Sequence, residues 1–75
     1  MGRNIHVVPY QNGWAVKAEG AQEPMITSPI QAPAIAVGRI FGQLYGSELF
    51  IHLENGQFGD RESYGNDPCP ARDTR

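Results

Sequence analysis

The chain has one cysteine, Cys69, so it cannot form an intramolecular disulfide. A secreted domain of this size would need about two to four bridges, which makes a reducing cytoplasm the expected location. Long apolar runs are missing too. The longest lies around Ala34 to Val37, far short of the roughly 18 residues that cross a bilayer, and no membrane span is expected. The opening Met1-Gly2-Arg3-Asn4-Ile5-His6 lacks the apolar region of an export signal, and His6 stands where a myristoylation signal requires Ser or Thr. Positive charge is scarce. Six Lys and Arg face eight Asp and Glu, for a formal −2. Within residues 1–67, Arg3, Lys17, Arg39 and Arg61 oppose Glu19, Glu23, Glu48, Glu54, Asp60, Glu62 and Asp67, a net −3 that lacks the basic stripe of a nucleic-acid binder.

Reaction centres are equally hard to find. No C-x-x-C or H-x-x-x-H spacing exists, and a closed zinc site drawing on His6, His52 and Cys69 would be short of ligands, so no metal and no cofactor are expected. Ser28 reads as a helix cap, Ser47 as a turn residue and Ser63 as part of a loop, none of them in a nucleophile elbow. The acid pairs Asp60/Glu62 and Asp67/Asp73 sit in polar loops with nothing apolar to raise a pKa. Gly56-Gln57-Phe58-Gly59 leads into no helix and no Lys follows it, so it is a turn rather than a phosphate loop. No catalytic residue is assigned, and the chain is not expected to be an enzyme.

What is present is enough for one small core: 75 residues, 40% hydrophobic, with seven aromatics. Ile5-His6-Val7-Val8 reads as a strand, Asn12-Gly13 as a hairpin turn, and Trp14-Ala15-Val16-Lys17-Ala18 as the return strand with Trp14, Val16 and Ala18 on its core face. Pro24-Met25-Ile26-Thr27 suits a short edge strand. Ser28, Pro29 and Gln31 resemble a capping-box helix start. Ile30, Ala34, Val37, Phe41 and Leu44 form one apolar stripe on a helix that ends near Tyr45, with Gly46 as its cap. Pro33 conflicts with that start, because five positions into a helix it removes a backbone donor; Gly38 and Gly42 allow a close approach to the sheet. Ser47-Glu48-Leu49-Phe50-Ile51-His52-Leu53 is the strongest strand and is expected at the centre. Asn55-Gly56 turns the chain into a short return at Gln57-Phe58, which Gly59-Asp60 ends. The sum is α+β: a small antiparallel sheet, β-β-(β)-α-β-β, with one helix packed across one face. A single domain over residues 1–68 and a C-terminal tail over 69–75 are expected.

His6-Val7-Val8-Pro9, Gly13-Trp14-Ala15-Val16-Lys17, Ala34-Ile35-Ala36, Glu48-Leu49-Phe50-Ile51-His52, Asn55-Gly56 and Ser63-Tyr64-Gly65-Asn66-Asp67-Pro68 together resemble a family of small bacterial proteins, the domain of unknown function numbered 2188. The resemblance runs over about residues 5–68. It implies a fold and a bacterial or phage origin, and it supplies no catalytic residue. Family members carry a more charged helix than this one, whose single charge is Arg39, and an aromatic or aliphatic residue where Cys69 stands.

The expected function is therefore a non-enzymatic protein-binding module. Its candidate partner-binding residues are Glu54, Asp60, Glu62, Tyr64, Asn66 and Asp67, where Tyr64 either clasps the core or is offered to the partner. An acidic surface suits a partner with a basic groove, including a nucleic-acid-handling host complex that an acidic inhibitor occludes by mimicking phosphates; an inhibitor of a CRISPR effector is the concrete special case. The alternative is a nucleic-acid-binding regulatory protein that stacks bases on sheet-face aromatics drawn from Tyr10, Tyr45, Tyr64, Phe50 and Phe58. Self-association has two candidate surfaces, the edge near Met25-Ile26 and the glycine-bearing helix face.

Overall fold

The computed structural model describes residues 3–65. Five strands and one helix follow in the order β1 (Ile5–Tyr10), β2 (Gly13–Ala18), β3 (Ile26–Ser28), α1 (Gln31–Tyr45), β4 (Glu48–His52) and β5 (Phe58–Ser63). They build a single sheet of spatial order β3-β2-β1-β4-β5, with α1 across one face. The α+β class with one helix is as expected. One pairing departs from an all-antiparallel sheet: β1 and β4 run parallel, Ile5 beside Leu49 and Val7 beside Ile51. The two hairpin reversals leave β3 pointing the same way as β1. The helix then carries the chain back over the face, so the next strand resumes that direction on the far side of β1. β1 is thus the central strand, and β4 is its interior neighbour.

The core lies between α1 and the sheet. Ile5, Val7, Val16 and Leu49 are fully buried, with Trp14, Ala34 and Ile51 completing the cluster. Each of the four large side chains contributes about 1.5–3 kcal/mol by leaving water. Alternation along β1, β2 and β4 supplies these residues, as the strand patterns predict.

The helix meets the sheet on a different stripe from the expected one. Its buried residues are Ala34, Gly38 and Gly42, a ridge at four-residue spacing, whereas Ile30 is 62% and Leu44 69% exposed. Contact distance explains the rotation. A Cβ on Gly38 would lie 2.9 Å from Leu49 Cδ1 and 3.0 Å from Val7 Cγ2. The small ridge lets the helix backbone rest directly on the core side chains, while Phe41, Val37 and Ile35 pack along its flanks.

Helix entry also differs. Ile30 occupies the N-cap with no side-chain capping bond, and the helix starts at Gln31. Ser28 instead makes a local turn, its hydroxyl donating to the Ile30 carbonyl at 2.7 Å and accepting from the Ile30 N–H at 3.2 Å. With this later start Pro33 is the third helical residue, where the backbone N–H has no intrahelical acceptor to lose, and the apparent conflict disappears. Gly46 closes the helix in the left-handed region at φ 62°, and the Ser47 N–H returns to the Gly42 carbonyl at 3.0 Å.

The β1–β2 turn and the extent of β5 differ from the expected ones. The β1–β2 reversal is made by Gln11 and Asn12, with Gln11 at φ 54°, and Gly13 is already the first residue of β2. Gly13 is required by space rather than by turn geometry: a Cβ there would collide with the Ser28 carbonyl and lie 2.9 Å from Pro29 Cα. β5 is longer than expected and runs through Gly59 and Asp60. Gly59 sits where the β4–β5 register shifts, and a Cβ would stand 2.9 Å from the Ile51 carbonyl oxygen. Leu53 lies beyond β4 and is 47% exposed. The expected tail at 69–75, and with it Cys69, lies outside the described residues.

Candidate functional site

Among the described residues, α1 is the one helix and packs on one face of the sheet; the opposite face gathers the chemistry that the strands carry at their outward positions. Register puts His6 beside Phe50, Lys17 across from His6, and Arg61 across from Phe50. His6 stacks on Phe50, ring centroids 5.0 Å apart and 20° between planes, and meets His52 at 5.4 Å. Phe58 lies edge-on to Phe50 at 6.0 Å and to His52 at 6.4 Å, and is itself 56% exposed. Four rings from β1, β4 and β5 thus form one patch on a sheet face, flanked by Lys17 and Arg61.

Polar contacts thread through the patch. His6 Nδ1 is 3.2 Å from His52 Nε2, His6 Nε2 is 3.1 Å from Glu19 Oε1, and His52 Nδ1 is 3.3 Å from the Gly56 carbonyl oxygen. His6, and secondarily Asn4, holds the Glu19 carboxyl below its ordinary range, so Glu19 is an ionised acceptor. Glu48 lies 3.8 Å from Arg61 at the far margin of the patch. Beside His6 is a depression of about 190 Å³ bordered by Val8, Lys17, Ala18 and Glu19. The two histidines do face one another across neighbouring strands, as their strand positions suggest. Among the described residues, however, no three His, Cys, Asp or Glu side chains converge into a metal-binding group.

The acidic candidates are dispersed by the fold. Glu62 and Tyr64 lie on the helix side. Arg39 grips Glu62 through Nε at 3.0 and 3.2 Å and through a terminal nitrogen at 2.7 Å, and the Tyr64 hydroxyl donates to the same carboxylate at 2.5 Å. Arg39, with help from Tyr64, holds the Glu62 carboxyl below its usual range; burial, reinforced by Glu62, pushes the Tyr64 phenol up. Tyr64 packs its ring over Gly42, whose Cβ position would be 3.0 Å from Tyr64 Cδ2, and joins the core margin. It is the clasp of the two alternatives. Asp60 is exposed on β5 and accepts the Arg61 N–H at 2.8 Å, while Glu54 is exposed in the β4–β5 turn. Asn66 and Asp67 lie outside the described residues.

Of the aromatics proposed for an open face, Phe50 and Phe58 are on it. Tyr45 is on the helix, 5.9 Å from Phe41, and Tyr10 borders a separate depression with Trp14. Two functional partners were not anticipated from the sequence: Glu19 for His6, and Arg39 for Glu62. The first has a signal, since Glu19 follows two residues after the His6 partner Lys17 and so falls on the same face.

The fold and this face define a small α+β domain with one sheet surface covered by the helix and the other turned away from it. The chain belongs to the family described as uncharacterized protein conserved in bacteria (DUF2188), whose model matches residues 5–64. It is 34% identical over 56 residues to the uncharacterized protein YdaT of Bacillus subtilis (strain 168), an alignment covering 75% of this chain. The same alignment spans 37% of that relative's length. No solved structure matches the chain. Among the described residues, no helix is long and apolar enough to cross a membrane.

Proposed function

We propose that the protein is a non-enzymatic binding module that meets a protein partner through the open face of its sheet. The observation that carries this reading is the patch of four rings on that face, with Phe58 56% exposed beside Phe50 and the two histidines. Aromatic side chains left on an accessible surface are the usual anchors of recognition, and a rim of Lys17, Arg61, Glu19 and Glu48 provides both signs of charge around them.

The acidic-inhibitor form of this reading, in which the chain blocks a basic groove such as that of a CRISPR effector, rests on Glu54 and Asp60, because Arg39 already neutralises Glu62. A second reading, direct binding of single-stranded nucleic acid, is favoured by the flanking cations Lys17 and Arg61, since stacking on such rings gives about 1–3 kcal/mol per base.

The test is affinity capture with the tagged full chain from nuclease-treated bacterial lysate, run in parallel with Phe58→Ser and with a Glu54→Lys/Asp60→Lys double variant. A stoichiometric protein retained by the wild type and by the double variant, and lost with Phe58→Ser, supports the open-face reading. Retention by Phe58→Ser with loss in the double variant moves the contact to the acidic turn and edge. Nucleic acid that co-purifies only when nuclease is omitted replaces the leading reading with the second.

A further inference from the structure

The hydrogen bonds around His6 and His52 count out to one proton more than two neutral imidazoles possess. Three contacts run in series: Gly56 carbonyl to His52 Nδ1, His52 Nε2 to His6 Nδ1, and His6 Nε2 to Glu19. Both ends are acceptors. The Gly56 carbonyl has only lone pairs, and the Glu19 carboxyl is held ionised by its neighbours. Each ring must therefore direct its one N–H outward, as His52 Nδ1–H and His6 Nε2–H. That leaves His52 Nε2 and His6 Nδ1 without hydrogens, facing each other at 3.2 Å. The ring centroids are 5.4 Å apart, close to the sum of this gap and the two ring radii, which is the greatest separation the gap allows, so the bare nitrogens meet nearly head-on. Two lone pairs in that arrangement repel; one proton between them makes a linear N–H···N bond. A second proton would set donor against donor.

We infer that His6 and His52 together form a binding site for a single shared proton on the open face of the sheet. The site is an imidazole–imidazolium pair carrying one positive charge. The surrounding groups act in both directions. Glu19, in direct contact, and Glu48 at the margin favour the charge; Lys17, across from His6 on β2, and Arg61, across from Phe50 on β5, oppose it. Phe50 adds its ring face, stacked on His6, which attracts a cation. The gap is shaped for a proton rather than a metal ion: nitrogens bound to one tetrahedral ion converge at an angle instead of pointing at each other, and 3.2 Å is too short for two metal–nitrogen bonds of about 2 Å in line. Loading the pair adds one positive charge in the middle of the aromatic patch, so the face presents two electrostatic states. This holds whichever partner the face binds.

The experiment is long-range proton–nitrogen NMR on the full chain with nitrogen-15 in histidine, from about pH 8 to pH 5. The expected result has three parts. Both rings change in one common step that takes up one proton per molecule. The loaded state shows His52 Nδ1–H and His6 Nε2–H together. A scalar coupling then appears between His52 Nε2 and His6 Nδ1 across the bridging proton. His52→Asn should abolish the coupling and turn the common step into an ordinary one-ring curve for His6. Two independent one-ring curves in the wild type, or a bare His52 Nδ1 in the state that shows the coupling, would overturn the inference. So would histidine signals that change on adding EDTA, since the gap would then hold a metal ion. The wild-type spectra decide the matter even if His52→Asn fails to fold.

Discussion

Replacing Gly38 with valine tests the packing that gives this domain its open face, because the ridge of Ala34, Gly38 and Gly42 is what commits the helix to one side of the sheet. A Cβ at position 38 already stands 2.9 Å from Leu49 Cδ1 and 3.0 Å from Val7 Cγ2, and both residues are fully buried. Alanine there has two opposing effects. It gains about 1 kcal/mol of helix propensity over glycine, and it costs about 1–3 kcal/mol of overpacking, for a net loss of roughly 0–2 kcal/mol. Valine adds two more methyl groups against the same wall, and the loss reaches about 3 kcal/mol or more. For a 75-residue chain with about 4–11 kcal/mol of total stability, that lowers Tm by more than about 12 °C or abolishes the cooperative transition. The control is Ala36→Val on the exposed outer face of α1, where only propensity changes and the cost stays below about 0.7 kcal/mol. Thermal unfolding followed by circular dichroism reads both. A Gly38→Val protein melting within a few degrees of Ala36→Val would refute the close-packed ridge.

Further outcomes follow from the same contacts. Tyr64→Phe removes the hydroxyl that Glu62 accepts and should cost about 0.5–1.5 kcal/mol in urea unfolding, whereas Tyr64→Ala, which also strips the ring from Gly42, should cost about 2–4 kcal/mol; equal effects would mean the ring does not clasp the core. Because the Glu62 carboxyl is held below its unfolded range, its contribution is present above that range and is lost as pH falls through it. Acid unfolding should therefore be less steep between about pH 5 and pH 3 in Glu62→Gln than in the wild type. Gly13→Ala should destabilise the β2–β3 edge against the Ser28 carbonyl even though Gly13 lies at ordinary backbone angles, seen as faster amide exchange at Ile26 and Ser28. Trp14, 8% exposed, should fluoresce at short wavelength and resist iodide quenching until the domain unfolds.

Elements with a periodic apolar pattern were legible in the residues alone. β1, β2 and β4 alternate visibly, and Trp14 sits in the core where the pattern puts it. The helix end was readable because glycine at the left-handed cap is a local requirement. What escaped notice depended on distance rather than pattern. Apolar side-chain size points to Ile30 and Leu44 as the buried stripe, yet the sheet accepts the ridge with the least bulk, and hydropathy does not report how closely two backbones approach. Gly13 sits beside an asparagine and so resembles a turn residue, although its reason for being glycine is a carbonyl fifteen residues further along the chain. β5 is polar because it is an exposed edge, which removes the alternation that would have marked it. The histidine pair was visible as a contact across strands. The third member, Glu19, became visible only with the strand register, and the proton count requires all three contacts.

The central claim, that partners meet the open face of the sheet, is tested most directly by adding the captured partner to nitrogen-15-labelled protein and mapping amide shifts. The largest changes are predicted at His6, Lys17, Phe50, His52 and Phe58, with Ile40 and Leu44 on the outer helix face unchanged. Changes centred on Ile40 and Leu44, or confined to Glu54 and Asp60, with the aromatic patch undisturbed, would contradict the claim.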